Sequence, residues 1–226
     1  MNSPFVLVHG GWCGGWVWED VAPILRARSR IVFTPTLTGL GDRAHLADPN
    51  VDLETHIDDI LEIIRTEELS NLILVGHSYA GMVIAGVADR AFDRLRHIVY
   101  LDAIVPENGE SDADVVGPEL VEDTRKKLRV AEKPWLIPPP VDSSRLMPHP
   151  LKTVLQPIVL RHQSETARIP HTFIHCVSEP NPMPAKPIAK SAERARARGW
   201  RMVTLNADHM AMKSAPQAIS EILLAI

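Results

Sequence analysis

A chain of 226 residues, 45% hydrophobic and 23% charged, is long enough to bury a sizeable core and too apolar to be disordered. Its formal net charge of −4 offers no basic face to nucleic acid or to an anionic membrane. Two cysteines, Cys13 and Cys176, cannot build a disulfide framework, and no apolar run approaches the ~18 residues that cross a bilayer. The expectation is one compact, reduced, cytoplasmic unit with no nucleic-acid or membrane partner.

Residues 1–4 carry no basic cluster, and the apolar stretch at 5–8 runs straight into His9-Gly10. That start reads as a strand and not as a signal peptide. Helical spacing follows over 17–28, then a β-branched run at 30–33. Over 53–69, Leu53, Ile57, Ile60, Leu61 and Ile64 share one face while Glu54, Asp58 and Glu62 turn away, which predicts an amphipathic helix. A strand is predicted at 71–75, a helix at 79–89 and a strand at 97–101. Beyond residue 170 come a strand at 171–176, a helix at 189–198, a strand at 202–205 and a helix at 216–225. About six strands alternating with helices predict an α/β fold, a mostly parallel sheet with helices on both faces, because parallel neighbours need crossover connections.

Between residues 106 and 170 the alternation stops. No strand is evident there, prolines crowd the stretch from Pro134 to Pro157, and helices are predicted only at 119–130 and 152–161. About 65 residues is too long for an ordinary connection. Trp135, Leu136, Ile137, Leu146, Met147, Leu155, Ile158 and Leu160 favour a segment that packs. The predicted organisation is therefore a core of residues 1–105 and 171–226, with residues 106–170 inserted as a cap over the carboxyl edge of the sheet. Exposed apolar surface on that cap would also offer a second copy a face for a homodimer.

The sharpest local signal is Gly76-His77-Ser78-Tyr79-Ala80-Gly81, placed between a predicted strand and a predicted helix. A serine on such a turn is held in a strained conformation that exposes its hydroxyl above the sheet. Gly76 and Ala80 are small where strand and helix nearly touch. The plain alternative is a serine that merely caps a helix. As nucleophile, Ser78 needs a base, and the base needs an orienting acid. Among ten histidines, His209 sits in Asn206-Ala-Asp-His-Met, after the last strand and at the edge where ligands bind in such sheets. His77 adjoins the serine but should point away from it, and His9 more naturally orders its own loop. For the acid, Glu179 follows the strand before the histidine strand and is preferred. Asp102, at the end of the 97–101 strand, is the rival.

His9-Gly10-Gly11-Trp12-Cys13-Gly14-Gly15-Trp16 follows the first strand. Its glycines let backbone N–H groups approach a carbonyl oxygen as it gains charge, so the Gly11 and Tyr79 amides are the predicted oxyanion hole. A dinucleotide site is the other use of a Gly-rich first turn. Here G-x-G-x-x-G is absent in this register, and Thr34-Pro35-Thr36 stands where an acidic residue would end the second strand. Trp12, Trp135, Leu136, Leu146, Met147 and Met210 are the predicted pocket lining, suited to a small apolar or aromatic ester.

These segments, with Ala207-Asp208-His209-Met210-Ala211-Met212, resemble the plant methylesterase and hydroxynitrile lyase branch of the α/β-hydrolases and its bacterial carboxylesterase relatives. The resemblance covers nearly the whole chain except residues 106–170. It implies an α/β-hydrolase core, a cap, a Ser–His–acid triad and no cofactor or metal. Cys176-Val177-Ser178-Glu179 falls where that branch has its acid, normally an aspartate. The lyases carry threonine at the position of Gly11 and lysine at that of Met210, so the resemblance implies a serine carboxylesterase. Hydroxynitrile lyase-like or other cofactor-free C–C bond chemistry, or a non-catalytic binding module on the same fold, are the alternatives.

Overall fold

A computed structural model describes residues 3–178 and 185–226. In chain order, β1 (Phe5–Val8) passes through a 3-10 turn (Gly15–Trp18) into α1 (Val21–Ala27), followed by β2 (Val32–Phe33) and α2 (Leu53–Thr66). Next come β3 (Leu72–His77), α3 (Ala80–Arg90) and β4 (Leu95–Leu101). The excursion then carries α4 (Asp112–Val116), α5 (Pro118–Leu128), β5 (Leu136–Ile137), β6 (His149–Pro150), α6 (Leu151–Leu155) and α7 (Gln163–Thr166). The chain closes with β7 (His171–Cys176), α8 (Ala185–Ala197), β8 (Arg201–Leu205), α9 (Ala211–Ser214) and α10 (Pro216–Leu224). No helix among the described residues is long and apolar enough to cross a membrane.

Six strands form one parallel sheet in the order β2-β1-β3-β4-β7-β8. Its central strands are apolar on both faces, as a sheet covered twice requires. In β1, Val6 and Val8 join the core beneath α2 and α3, while Phe5 and Leu7 join the core beneath α1 and α10. The same period of two runs through β3, where Leu72 and Leu74 face one layer and Ile73 and Val75 the other. From β1 the chain moves outward to β2 and then crosses back to place β3 on the other side of β1. The loops leaving β1 and β3 therefore diverge and open a crevice at the strands' carboxyl ends.

Local chemistry explains the departures from the predicted elements. The helix expected over 17–28 is a 3-10 turn and then α1, because a continuous helix would need an N–H from Pro23 to reach the Glu19 carbonyl. The helix expected over 152–161 stops at Leu155, since Pro157 holds Gln156 extended at ψ 123°. A strand pair that periodicity did not reveal joins β5 and β6 antiparallel, Ile137 opposite His149. Two-residue strands are too short to leave an alternation. By contrast α2 begins where predicted, fixed by a capping box in which Asp52 accepts from the Thr55 N–H at 3.0 Å.

Candidate active site

Ser78 stands between β3 and α3 with φ of 55°, and its side chain opens into the crevice. Its carbonyl accepts the N–H groups of Gly81 and Ile104, both at 3.0 Å, which pins the turn in place. The closeness expected at Gly76 is present, since a Cβ there would lie 2.9 Å from the Ala80 carbonyl oxygen. A tighter approach occurs at Gly81, where a Cβ would come within 1.9 Å of the Ile104 carbonyl oxygen. The chain after β4 thus presses directly on the first turn of α3.

His209 comes from the turn between β8 and α9 and is buried. Its Nε2 lies 3.0 Å from Ser78 Oγ, and its Nδ1 lies 2.7 Å from Asp102 Oδ2. A carboxylate only accepts, so Nδ1 carries the imidazole proton and Nε2 accepts from the serine hydroxyl. Asp102 follows β4 directly, is fully buried, and takes the Cys176 N–H on Oδ1 at 3.0 Å. Glu179, the preferred acid in the sequence, lies outside the described residues. Asp208 is occupied elsewhere, accepting from the Met210 N–H and the Ser214 hydroxyl.

The adjacent His77 turns from the serine, as expected, and donates Nε2–H to the His209 carbonyl at 2.8 Å. That contact holds His209 from behind, an arrangement sequence reasoning missed because it depends on the β8–α9 turn arriving alongside. Burial, then the neighbouring His209 ring, keeps the His77 imidazole well below the ordinary histidine range. His9 orders its loop, with Nε2 accepting the Leu37 N–H at 3.0 Å.

Gly11 and Tyr79 both border the cavity. Among the described residues, neither backbone N–H has an acceptor. Trp12, at φ 62°, donates its N–H to His149 Nδ1 at 3.3 Å and its indole N–H to the Ile137 carbonyl at 3.1 Å. The Tyr79 hydroxyl meets His56 Nδ1 at 3.0 Å. His56, His149 and Tyr79 form a buried polar cluster that the sequence did not announce, since its members come from α2, β6 and the turn between β3 and α3.

The cavity above Ser78 has a volume of about 210 Å³ and mostly apolar walls from α4, α5, β5 and α6. Of the predicted lining residues, Trp12 borders it. Trp135, Leu136, Leu146, Met147 and Met210 do not. Side chains alternate along β5, so Ile137 faces the cavity and Leu136 turns from it. Trp135 lies before that strand, with Lys133 against its ring. Leu146 and Met210 pack on the α1–α10 side of the core. Met147 is held by its backbone, whose N–H donates to the Trp12 carbonyl at 2.8 Å.

A crevice at the carboxyl edge of a parallel sheet, with a serine on a strained strand-to-helix turn, defines an α/β-hydrolase. The family model "Alpha/beta hydrolase family" matches residues 5–222, and the chain belongs to that family. Over 107 residues it is 61% identical to the carbendazim hydrolyzing esterase of Nocardioides sp. (strain SG-4G), covering 47% of this chain and 44% of that relative. It is 29% identical over 118 residues to methylesterase 8 of Arabidopsis thaliana, covering 51% of this chain and 43% of the relative. The chain spans less than half the length of these curated relatives. Among solved structures, an extracellular alpha/beta-hydrolase from a Paenibacillus species superposes with a TM-score of 0.84 at 25% identity, over 99% of this chain and 98% of that one.

Proposed function

We propose that the protein is a serine carboxylesterase acting on small apolar or aromatic esters, with Ser78 as nucleophile, His209 as base and Asp102 as the orienting acid. The observation that carries this reading is the unbroken run from Ser78 Oγ to His209 Nε2 at 3.0 Å and from His209 Nδ1 to Asp102 Oδ2 at 2.7 Å. His209 takes the hydroxyl proton as Ser78 Oγ bonds to the ester carbonyl carbon. The Gly11 and Tyr79 amides receive the oxygen as it becomes negative, each donor supplying on the order of 3 kcal/mol in the transition state. His209 then passes its proton to the departing alcohol. Water, deprotonated by the same imidazole, adds to the acyl-enzyme and releases the acid and Ser78.

Residues 106–170 serve as the cap that closes this cavity, and the relatives' names make carbendazim and methyl esters the first substrates to try. Two free, buried thiols at Cys13 and Cys176 suit a reducing compartment, so a cytoplasmic location is part of the reading. Gly11 and Met210 bring neither a hydroxyl nor a cation to the site, which favours hydrolysis over cyanide release. The test is hydrolysis of p-nitrophenyl acetate and butyrate by the wild type and Ser78→Ala. A loss of about 10³-fold or more in kcat/KM supports the reading. Equal background rates in both proteins would overturn it.

A further inference from the structure

Two carboxylates open α4, and they are treated in opposite ways. Asp114 is engaged locally: it closes a capping box, its Oδ2 accepting the Ser111 N–H at 2.8 Å and the Ser111 hydroxyl at 2.6 Å. Asp112 is nine-tenths buried and borders the cavity that holds Ser78. Among the described residues, no N–H, hydroxyl or cation donates to its carboxyl, and burial alone perturbs it. Asp112 lines the cavity, so a molecule that fills the cavity must either donate to its carboxyl or cover it without a partner, which costs on the order of 2 kcal/mol.

We propose that Asp112 is a substrate-recognition residue, the acceptor for a neutral N–H group carried by the ester, so that the site selects aromatic or heteroaromatic esters with a ring or amide N–H. The inference rests on the esterase reading for the word substrate, but the acceptor itself stands on the cavity. A neutral donor fits better than an ammonium. The walls are apolar, which makes a full charge expensive to bring in, and Arg125 borders the same cavity and repels a cation. Burial pushes the Asp112 carboxyl up to about 7, so near neutral pH it exists in both forms, and either offers a lone pair to an incoming N–H. Specificity follows from what each ester does to this carboxyl: one with the donor pairs it, whereas one without it seals the carboxyl away from water unpaired.

The experiment uses methyl indole-2-carboxylate and its N-methyl analogue as ligands of the full chain carrying Ser78→Ala, which cannot consume them. Calorimetry should give an N–H ester bound about tenfold tighter than the N-methyl one, the value of one good hydrogen bond. In Ser78→Ala with Asp112→Leu that ratio should fall to about one. With Asp112→Asn, whose amide oxygen still accepts, part of it should return. A ratio of about one with Asp112 in place overturns the proposal, as does undetectable binding of both esters. A ratio that persists with leucine also overturns it, because the methyl group would then be excluded by size alone. If the leucine variant fails to fold, the comparison with Asp112 present and the asparagine variant still decide. Hydrolysis of p-nitrophenyl butyrate by the wild type separates the two claims. Turnover without an N–H preference removes the acceptor and keeps the esterase, and the reverse result removes the esterase alone.

Discussion

Asp102 sits at the end of β4 with φ of 43°, and each of its carboxylate oxygens has one partner, the Cys176 N–H and His209 Nδ1. Ser78 at 55° and Trp12 at 62° share this left-handed backbone, so three of the strained turns belong to the candidate site. Strain at these residues persists because the sheet edge over-determines each turn. Asp102→Asn keeps the size of the side chain but removes the negative partner of His209 and admits the wrong imidazole tautomer. It should lower kcat by about 10⁴-fold with KM little changed. Glu179→Gln in the same assay should stay within about threefold of the wild type. If the second substitution proves crippling and the first mild, the acid has been misassigned. Ser78 and His209 could be picked out in the sequence because each lies in a short contiguous motif beside a predicted strand. The acid stayed open between Glu179 and Asp102, because the contact of Asp102 with His209 joins residues far apart in the chain and exists only where β4 and the β8–α9 turn come together, while Glu179 lies outside the described residues.

At the scale of elements, the junction of α3 with the chain leaving β4 is the closest approach at any glycine among the described residues. Gly81→Ala would drive a methyl into the Ile104 carbonyl, 1.9 Å away, and one of the two backbones must shift. Destabilisation of about 3 kcal/mol is expected, visible as a lower denaturation midpoint, together with lost esterase activity because Ser78 rides on the same turn. A variant as stable and active as the wild type would mean that this contact is looser than described. Elements of the sheet were legible because central parallel strands are continuous apolar runs and the helices between them repeat at 3.6 residues. The excursion was legible only as something that packs. Its organisation depends on the β5–β6 pair and on Pro157 ending α6, neither of which produces a period, so of the expected lining only Trp12 borders the cavity, and Ile137 stands there in place of Trp135 and Leu136.

Across the whole molecule, the site is underlain by histidines buried in neutral form. Burial pushes His9 and His56 down to about 4, and burial with neighbouring imidazoles keeps His77 and His149 well below the ordinary range. Unfolded, each would bind a proton near pH 6.5, so between there and about pH 4 the unfolded chain holds more protons than the folded one. The stability these groups contribute is complete above pH 6.5 and is lost as the pH falls toward 4. Asp112 acts in the opposite sense: raised to about 7 by burial, it favours the folded state as the pH drops from 7 to about 4. Four histidines outweigh one carboxyl. Tm by scanning calorimetry should therefore fall on the order of 5 °C or more between pH 7 and pH 4.5. An unchanged Tm over that interval would show that these imidazoles are not buried in neutral form.

Trp12 binds the loop after β1 to the excursion three times, through His149 Nδ1, the Ile137 carbonyl and the Met147 N–H. This stitching constrains how a substrate gets in. Lifting β5 and β6 as a hinged flap would tear the same backbone that presents the Gly11 amide, so the gate and the catalytic apparatus cannot move independently on that side. On the other wall α4 and α5 border the cavity without a hydrogen bond to the Trp12 backbone among the described residues, and Leu120 and Arg125 reach solvent there. On the proposed esterase reading, an ester would enter and its alcohol leave past α5, while the backbone beneath Trp12 stays in place from one turnover to the next.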